Sequence, residues 1–260
     1  MIRQKTIFKI KYLVFLLMAF VIQVNECNSQ TDDSVSGRYI NMTFLEQLPD
    51  QIPGSIPVYC LEINFTGSES AEIFNGFEEY MLDYRKDVDN FLFVKAVQGN
   101  DLSFIINEAG DIILADSIWT DKPSKSVFRK VSEDDYTGDH KWVIEKYLND
   151  KMIAGDYFLF ENTNTPGQVV KFLSDGNVEG LRNYKTYSVC FAGDCTGETS
   201  PVSNTVTFKT VSNESVTFSF RYDRKNNSVF FYDISEPVSD LKGERKILGV
   251  SFELRKKNNN

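Results

Sequence analysis

The chain contains a single histidine, His140, and that settles much of the catalytic question. Histidine serves most general-base roles near neutral pH and many metal sites, because its charge changes in that range. His140 sits between Asp139 and Lys141, where it reads as a solvated residue at a helix start. A Ser-His-Asp arrangement would have to use it, and no Gly-x-Ser-x-Gly elbow presents a serine. A thiol enzyme would need the same histidine beside a reactive cysteine. Of the four cysteines, Cys190 and Cys195 bracket Phe191-Ala192-Gly193-Asp194. A four-residue loop with glycine would place them opposite each other across a hairpin, so a disulfide is expected there. Cys60 is left over and reads as a small packed hydrophobe. No catalytic residue and no metal ligand set is assigned, and no cofactor is expected.

Carboxylates are abundant, and a hydrolytic acid pair needs only to meet in space, about 5 to 9.5 Å apart. Asp175-Gly176-Asn177-Val178-Glu179 has the spacing of a calcium loop. Its glycine falls second, whereas an EF-hand loop needs glycine sixth. A tight Asp-Gly hairpin turn accounts for it better. Asn41, Asn64, Asn213 and Asn226 stand in Asn-x-Ser/Thr triplets and would be glycan acceptors in a eukaryotic secretory route.

The positive signal is aromatic: 21 Phe, 12 Tyr and 2 Trp. Aromatic side chains suit a pleated, half-buried surface, so many must fill strands and cores. The alternative is that some line a ligand cup. Which residues would do so is not legible, and the ligand-binding residues stay unknown.

Export sets the context. Arg3, Lys5, Lys9 and Lys11 precede the uncharged run from Leu13 to Ile22 and then a polar stretch. That is the pattern of a secretory signal peptide spanning 1–29, too short for the roughly 20 apolar residues of a membrane span. Two processing routes stay open: cleavage after Ser29, or lipidation of Cys27 with 30–35 as a tether. Glu26 departs from the small residue of lipoprotein signals. Without 1–29 the chain carries 24 basic and 36 acidic residues, a net of −12. Phosphate backbones would be repelled, so no nucleic-acid partner is expected. Contact with a membrane is expected only through the signal or a lipid on Cys27; any protein partner is unknown.

The elements that would position these residues are mostly strands. Val216-Thr217-Phe218-Ser219-Phe220-Arg221-Tyr222-Asp223 alternates apolar and polar without a break. Tyr59, Leu61, Ile63 and Phe65 do the same, as do Tyr80, Leu82 and Tyr84, and Val250, Phe252 and Leu254. Turn residues separate the runs at Asn75-Gly76, Gly99-Asn100, Ala109-Gly110-Asp111, Asp175-Gly176 and Asn226-Asn227. One stretch breaks the pattern. Ile144, Tyr147, Leu148 and Met152 fall at helical spacing within 139–154, with Thr137 or Asp139 to cap the start and Gly155 to end it.

The two sides of this helix correspond. Gly37-Arg38-Tyr39 matches Gly155-Asp156-Tyr157, Phe104 matches Phe218, and Phe128 matches Phe252, at offsets of 118, 114 and 124 residues. Asn75-Gly76 with Tyr80 and Tyr84 parallels Asp175-Gly176 with Tyr184 and Tyr187. Constant order at similar offset suggests a tandem duplication. The expected fold is all-β: two tandem antiparallel meander β-barrel-like domains, 36–131 and 139–256, joined through a 132–138 linker and one short helix, with a 257–260 tail.

A Gly-x-aromatic opening strand, an Asp-Gly hairpin, a meander and a last strand ending in arginine resemble the lipocalin-like (calycin) β-barrels, most clearly over 139–256 and more faintly over 36–131. Tyr39 and Tyr157 stand where lipocalins carry Trp, and the Thr-Asp-Tyr signature is absent. The resemblance implies a cup holding an apolar or amphipathic small molecule, hence an exported non-enzymatic binding protein. The alternative is a surface structural or adhesive protein with filled barrels, and a third, weaker reading is a carboxylate-dependent hydrolase.

Overall fold

Alternating apolar residues build seventeen strands in the computed structural model, which describes residues 35–48, 50–67, 69–115, 125–132, 135, 142–161, 167–192, 195, 198–237 and 245–257. The signal segment, Cys27, His140 and most of the 132–138 linker lie outside the described residues.

The first half contains β1 (Gly37–Asn41), β2 (Glu62–Phe65), β3 (Ser70–Phe74), β4 (Glu79–Asp87), β5 (Asn90–Val97), β6 (Asn100–Ile106), β7 (Ile112–Ala115) and β8 (Lys125–Lys130). Each pairs antiparallel with the next, and β1 pairs with β8, closing an eight-stranded barrel. Between β1 and β2 the chain forms the short helix α1 (Met42–Glu46) and a 3-10 turn, Pro53–Ser55. The Asn41 side chain caps α1 by accepting the Phe44 N–H, while its amide donates to the Cys60 carbonyl.

Helix α2 (Ile144–Met152) leads into the second half: β9 (Gly155–Phe160), β10 (Val169–Phe172), β11 (Val178–Glu179), β12 (Tyr184–Val189), β13 (Thr199–Ser200), β14 (Asn204–Thr210), β15 (Ser215–Asp223), β16 (Ser228–Ile234) and β17 (Arg245–Lys256). Eight of these run in meander order from β9 through β12 and β14 to β17, and β17 returns to pair with β9. The seam between β11 and β12 is a single bridge, Asn177 to Thr186, so this barrel is nearly closed. The short β13 lies off the path, parallel to β17.

The all-β, two-barrel expectation therefore holds. Strand counts agree with most of the proposed correspondences. Gly37 and Gly155 open the first strand of each barrel, both at positive φ (91° and 145°). Phe104 and Phe218 lie in the sixth strands, and Phe128 and Phe252 in the eighth. One correspondence fails. Asn75-Gly76 turns from the third strand to the fourth, whereas Asp175-Gly176 turns from the second to the third.

The helix also needs correction. It begins at Ile144, with Val143 at the cap position and no side-chain cap from its own segment. It ends at Ile153, and Gly155 instead starts β9. Its apolar stripe is buried through Ile144, Leu148 and Met152. The described residues from Gly37 onward form one compact unit, and beside the packed interior of the first barrel an apolar cluster runs from Phe44, Leu61 and Phe74 through Trp142 and Ile144 to Phe172 and Phe252. Among the described residues, no helix is long and apolar enough to cross a membrane.

Candidate functional site

Inside the first barrel the aromatic rings meet one another. Phe65 lies 5.1 Å from Tyr84, 6.1 Å from Phe93 and 5.9 Å from Phe104, centroid to centroid, and Phe93 stacks on Phe104 at 4.5 Å. The second barrel repeats this with Phe231 stacked on Phe252 at 4.5 Å and Phe208 beside Phe172 and Phe218. Such offset and edge contacts are those of a packed core. Both interiors are filled by the residues that could have lined a cup.

The apolar concavity lies elsewhere. A groove of about 400 Å³ runs between the α1–β2 connection of the first barrel and the disulfide loop of the second. Phe44, Ile56 and Leu61 are buried and form its floor. Pro53, Gly54, Pro57 and Val58 form one wall, and Phe77, Phe191 and Ala192 the other. Phe77 is a lip, 66% exposed despite its size. The one polar side chain in the lining, Asn75, is already committed: its Oδ1 accepts the N–H groups of Phe77 and Glu78, both at 2.8 Å. Among the described residues, no charged side chain lines the groove.

Two features shape that wall. Cys190 and Cys195 are disulfide-bonded, with Cα atoms 5.8 Å apart, as the spacing predicts. The expected hairpin is not what joins them. Val189 of β12 pairs with Val206 of β14, so the cysteines close a turn in the longer β12–β14 connection rather than facing each other in a ladder. Cys60 is buried and free. On the opposite side, Gly76 adopts φ +97°, and a Cβ there would lie 2.5 Å from the Ala192 Cβ. Only glycine permits so close an approach at that φ.

Behind the groove, a polar joint ties α2 to the outer face of the first barrel. Glu62 is fully buried. Its Oε1 accepts from Arg38 Nη1 at 3.1 Å, and its Oε2 accepts the main-chain N–H of Ile144 at 3.0 Å. A carboxylate from the barrel thus supplies the cap that the α2 segment lacks, at the positive end of the helix dipole. Burial pushes the Glu62 carboxyl up to about 7, against the lowering effect of Ile144, Arg38 and Val143. Next to it, Trp142 stacks on Phe74 at 4.6 Å and donates its indole N–H to Glu79 at 2.9 Å, with the Arg38 guanidinium 5.7 Å over its ring. Phe74 in turn meets Phe191 of the groove wall edge-on at 6.2 Å.

A smaller cavity of about 160 Å³ lies at the end of the second barrel, bounded by the last turn of α2, Tyr157, Tyr222 and Lys256. The Tyr157 and Tyr187 hydroxyls donate to the Ile153 and Leu173 carbonyls. The buried Tyr222 hydroxyl has no hydrogen-bond partner.

The remaining sequence candidates separate. Asp175 turns its carboxylate onto the Asn177 N–H and amide at 2.9 Å, as a turn residue does. Among the described residues, no cluster of three or more His, Cys, Asp or Glu could hold a metal ion. Asn41 is buried within its capping bonds, whereas Asn213 and Asn226 lie on exposed turns. The comparisons with known proteins are empty: no protein-family model, curated protein or solved structure matches the chain.

Proposed function

We propose that the chain is an exported, non-enzymatic binding protein whose ligand, an apolar or amphipathic small molecule, occupies the groove at the junction of the two barrels. The observation that carries this reading is the groove itself, about 400 Å³ with no charged side chain among the described residues that line it. That volume and composition suit a small apolar ligand, and the carbonyl oxygen of the polar side chain in the lining, Asn75, is already engaged by the main chain. The site is thereby moved from the barrel cups, which aromatic rings fill, to the outside of the first barrel. Export is supported by the signal-like N-terminus and by the disulfide, which persists in oxidising compartments. The non-enzymatic reading is supported by the lone histidine and by the position of Glu62, whose raised carboxyl has no exposed surface.

The test is titration with the neutral fluorophore N-phenyl-1-naphthylamine, then competition by fatty acids, isoprenoids and aromatic metabolites. Micromolar affinity, about −8 kcal/mol, is a modest demand on such a site. Pro57→Glu and Phe77→Ser, both exposed at the rim, should weaken binding at least tenfold while leaving the melting temperature near that of the wild type. Absence of binding, or binding indifferent to both substitutions, would remove the groove as the site.

The filled interiors favour a second reading, a surface structural or adhesive protein. In that case Phe77 and the groove would take a side chain of another protein, and no small molecule would compete.

A further inference from the structure

We propose that occupancy of the groove is controlled by the protonation of Glu62, with the groove assembled at mildly acidic pH and loosened above neutrality. This rests on the groove being the ligand site. The groove has walls from both barrels: Val58 and Phe77 belong to the first, Phe191 and Ala192 to the second. It exists only while the two are held together. The contacts that hold them there form one unbroken series: Glu62 on the Ile144 N–H, Trp142 two residues earlier stacked on Phe74, and Phe74 against Phe191.

Both oxygens of Glu62 accept hydrogen bonds, which favour the charged form, but no part of the residue reaches solvent and that burial outweighs them. A buried carboxylate is more easily held neutral than charged. The closed joint therefore binds a proton more tightly than an open one, in which the carboxyl would be hydrated. Acid favours closure and base favours opening. The raised Glu62 carboxyl, at about 7, places the change near neutrality. Between a hydrated carboxyl and this one, the closed-to-open ratio can change by as much as about 300-fold.

The other charged groups on the elements packed around Glu62 do not supply this response. Arg38 of β1 donates to Glu62 itself, Glu72 of β3 is bonded by Asn64, and Glu79 of β4 is bonded by Trp142. On α2, Lys146 is paired with Asp135, and Glu145 occupies the first turn. Arg129 of β8 faces Asp111, and Glu46 lies in α1. Burial pushes the Tyr80 phenol up, away from this window. His140→Gln serves as the control for the chain's single histidine.

Two readouts test the inference on the full chain. In a Trp119→Phe background Trp142 is the sole tryptophan, so its emission reports the joint. The emission should shift to the red as pH rises from 5 to 8. Glu62→Gln should abolish that shift and His140→Gln should keep it. N-phenyl-1-naphthylamine, uncharged over this range, should bind at least fivefold more tightly at pH 5.5 than at pH 8 to the wild type, and equally at both pH values to Glu62→Gln. Probe binding with the same pH dependence in both proteins, or with none in either, overturns the inference while leaving the groove reading intact. No probe binding at either pH removes the groove reading and the inference with it. Should Glu62→Gln fail to fold, an emission of Trp142 that stays constant from pH 5 to 8 in the Trp119→Phe protein is enough to overturn the inference.

Discussion

Replacing Glu62 by Gln should change how stability depends on pH more than it changes stability itself. In the folded protein this carboxyl titrates near 7 against about 4.5 when unfolded. The folded state keeps a proton that the unfolded state has lost between those values. The contribution is fully present below about pH 4.5 and is lost as pH rises through 7. The 2.5-unit difference corresponds to about 3 kcal/mol in all, of which about 2.5 kcal/mol falls between pH 5 and 8. The carboxylates held low, Asp135, Asp223 and Glu253, act in the opposite sense, but only as pH falls below about 4.5. They leave the neutral window to Glu62. Gln keeps an acceptor for the Ile144 N–H and has no charge to desolvate. Arg38, with part of its side chain exposed and Trp142 beside it, remains solvated. The wild type should therefore melt about 5 to 10 °C higher at pH 5 than at pH 8, and Glu62→Gln should flatten that difference. Thermal unfolding followed by circular dichroism at pH 5, 6.5 and 8, with His140→Gln alongside, measures it. A wild type that gains stability from pH 5 to 8, or a Gln variant with the same slope, would refute the reasoning.

Tyr222→Phe deletes a buried hydroxyl that has no partner and should stabilise the protein by about 1 kcal/mol, seen as a raised melting temperature; a loss of that size would show that the hydroxyl is satisfied in solution. Gly76→Ala should destabilise by about 1 to 3 kcal/mol and weaken probe binding, because its Cβ would collide with Ala192 and the backbone stands at φ +97°. Cys190→Ser opens a short loop and should lower stability by no more than about 2 kcal/mol in denaturant titrations. The intact mass of the exported protein should correspond to a chain beginning at Gln30 or at a lipid-modified Cys27, and a mass for all 260 residues would reject both.

Much of the fold was legible because a closed sheet writes its inner face into every second residue. The run through Phe218, Phe220 and Tyr222 became β15, and the match of Phe104 with Phe218 and of Phe128 with Phe252 fell on equivalent strands. Local turn chemistry, by contrast, does not count strands, so Asn75-Gly76 and Asp175-Gly176 looked equivalent and are not. The disulfide was legible for a similar local reason, since five residues of separation bring two cysteines together whether or not a hairpin forms. The groove was not. Its residues come from the α1–β2 connection, the β3–β4 turn and the disulfide loop, segments with no shared period.

Glu62 was hidden by the same alternation that revealed its strand. Ile63 and Phe65 face the barrel interior, so Glu62 takes the outer face, where an acidic residue reads as solvated. It is buried because α2 covers that face. The sequence of α2 carries the complementary sign, an N-terminus at Val143 with no Ser, Thr, Asp or Asn to cap it. A helix start without a local cap needs an acceptor from elsewhere, and an acidic residue between apolar neighbours in a strand is one that can supply it. Each anomaly alone is weak. Together, 82 residues apart, they specify a contact that neither barrel could make alone. An isolated first half would expose Phe74 and hydrate Glu62, and an isolated second half would expose Trp142 and leave the Ile144 N–H open. The apolar groove and the buried Glu62 joint thus arise from the same event, the seating of α2 against the outside of the first barrel.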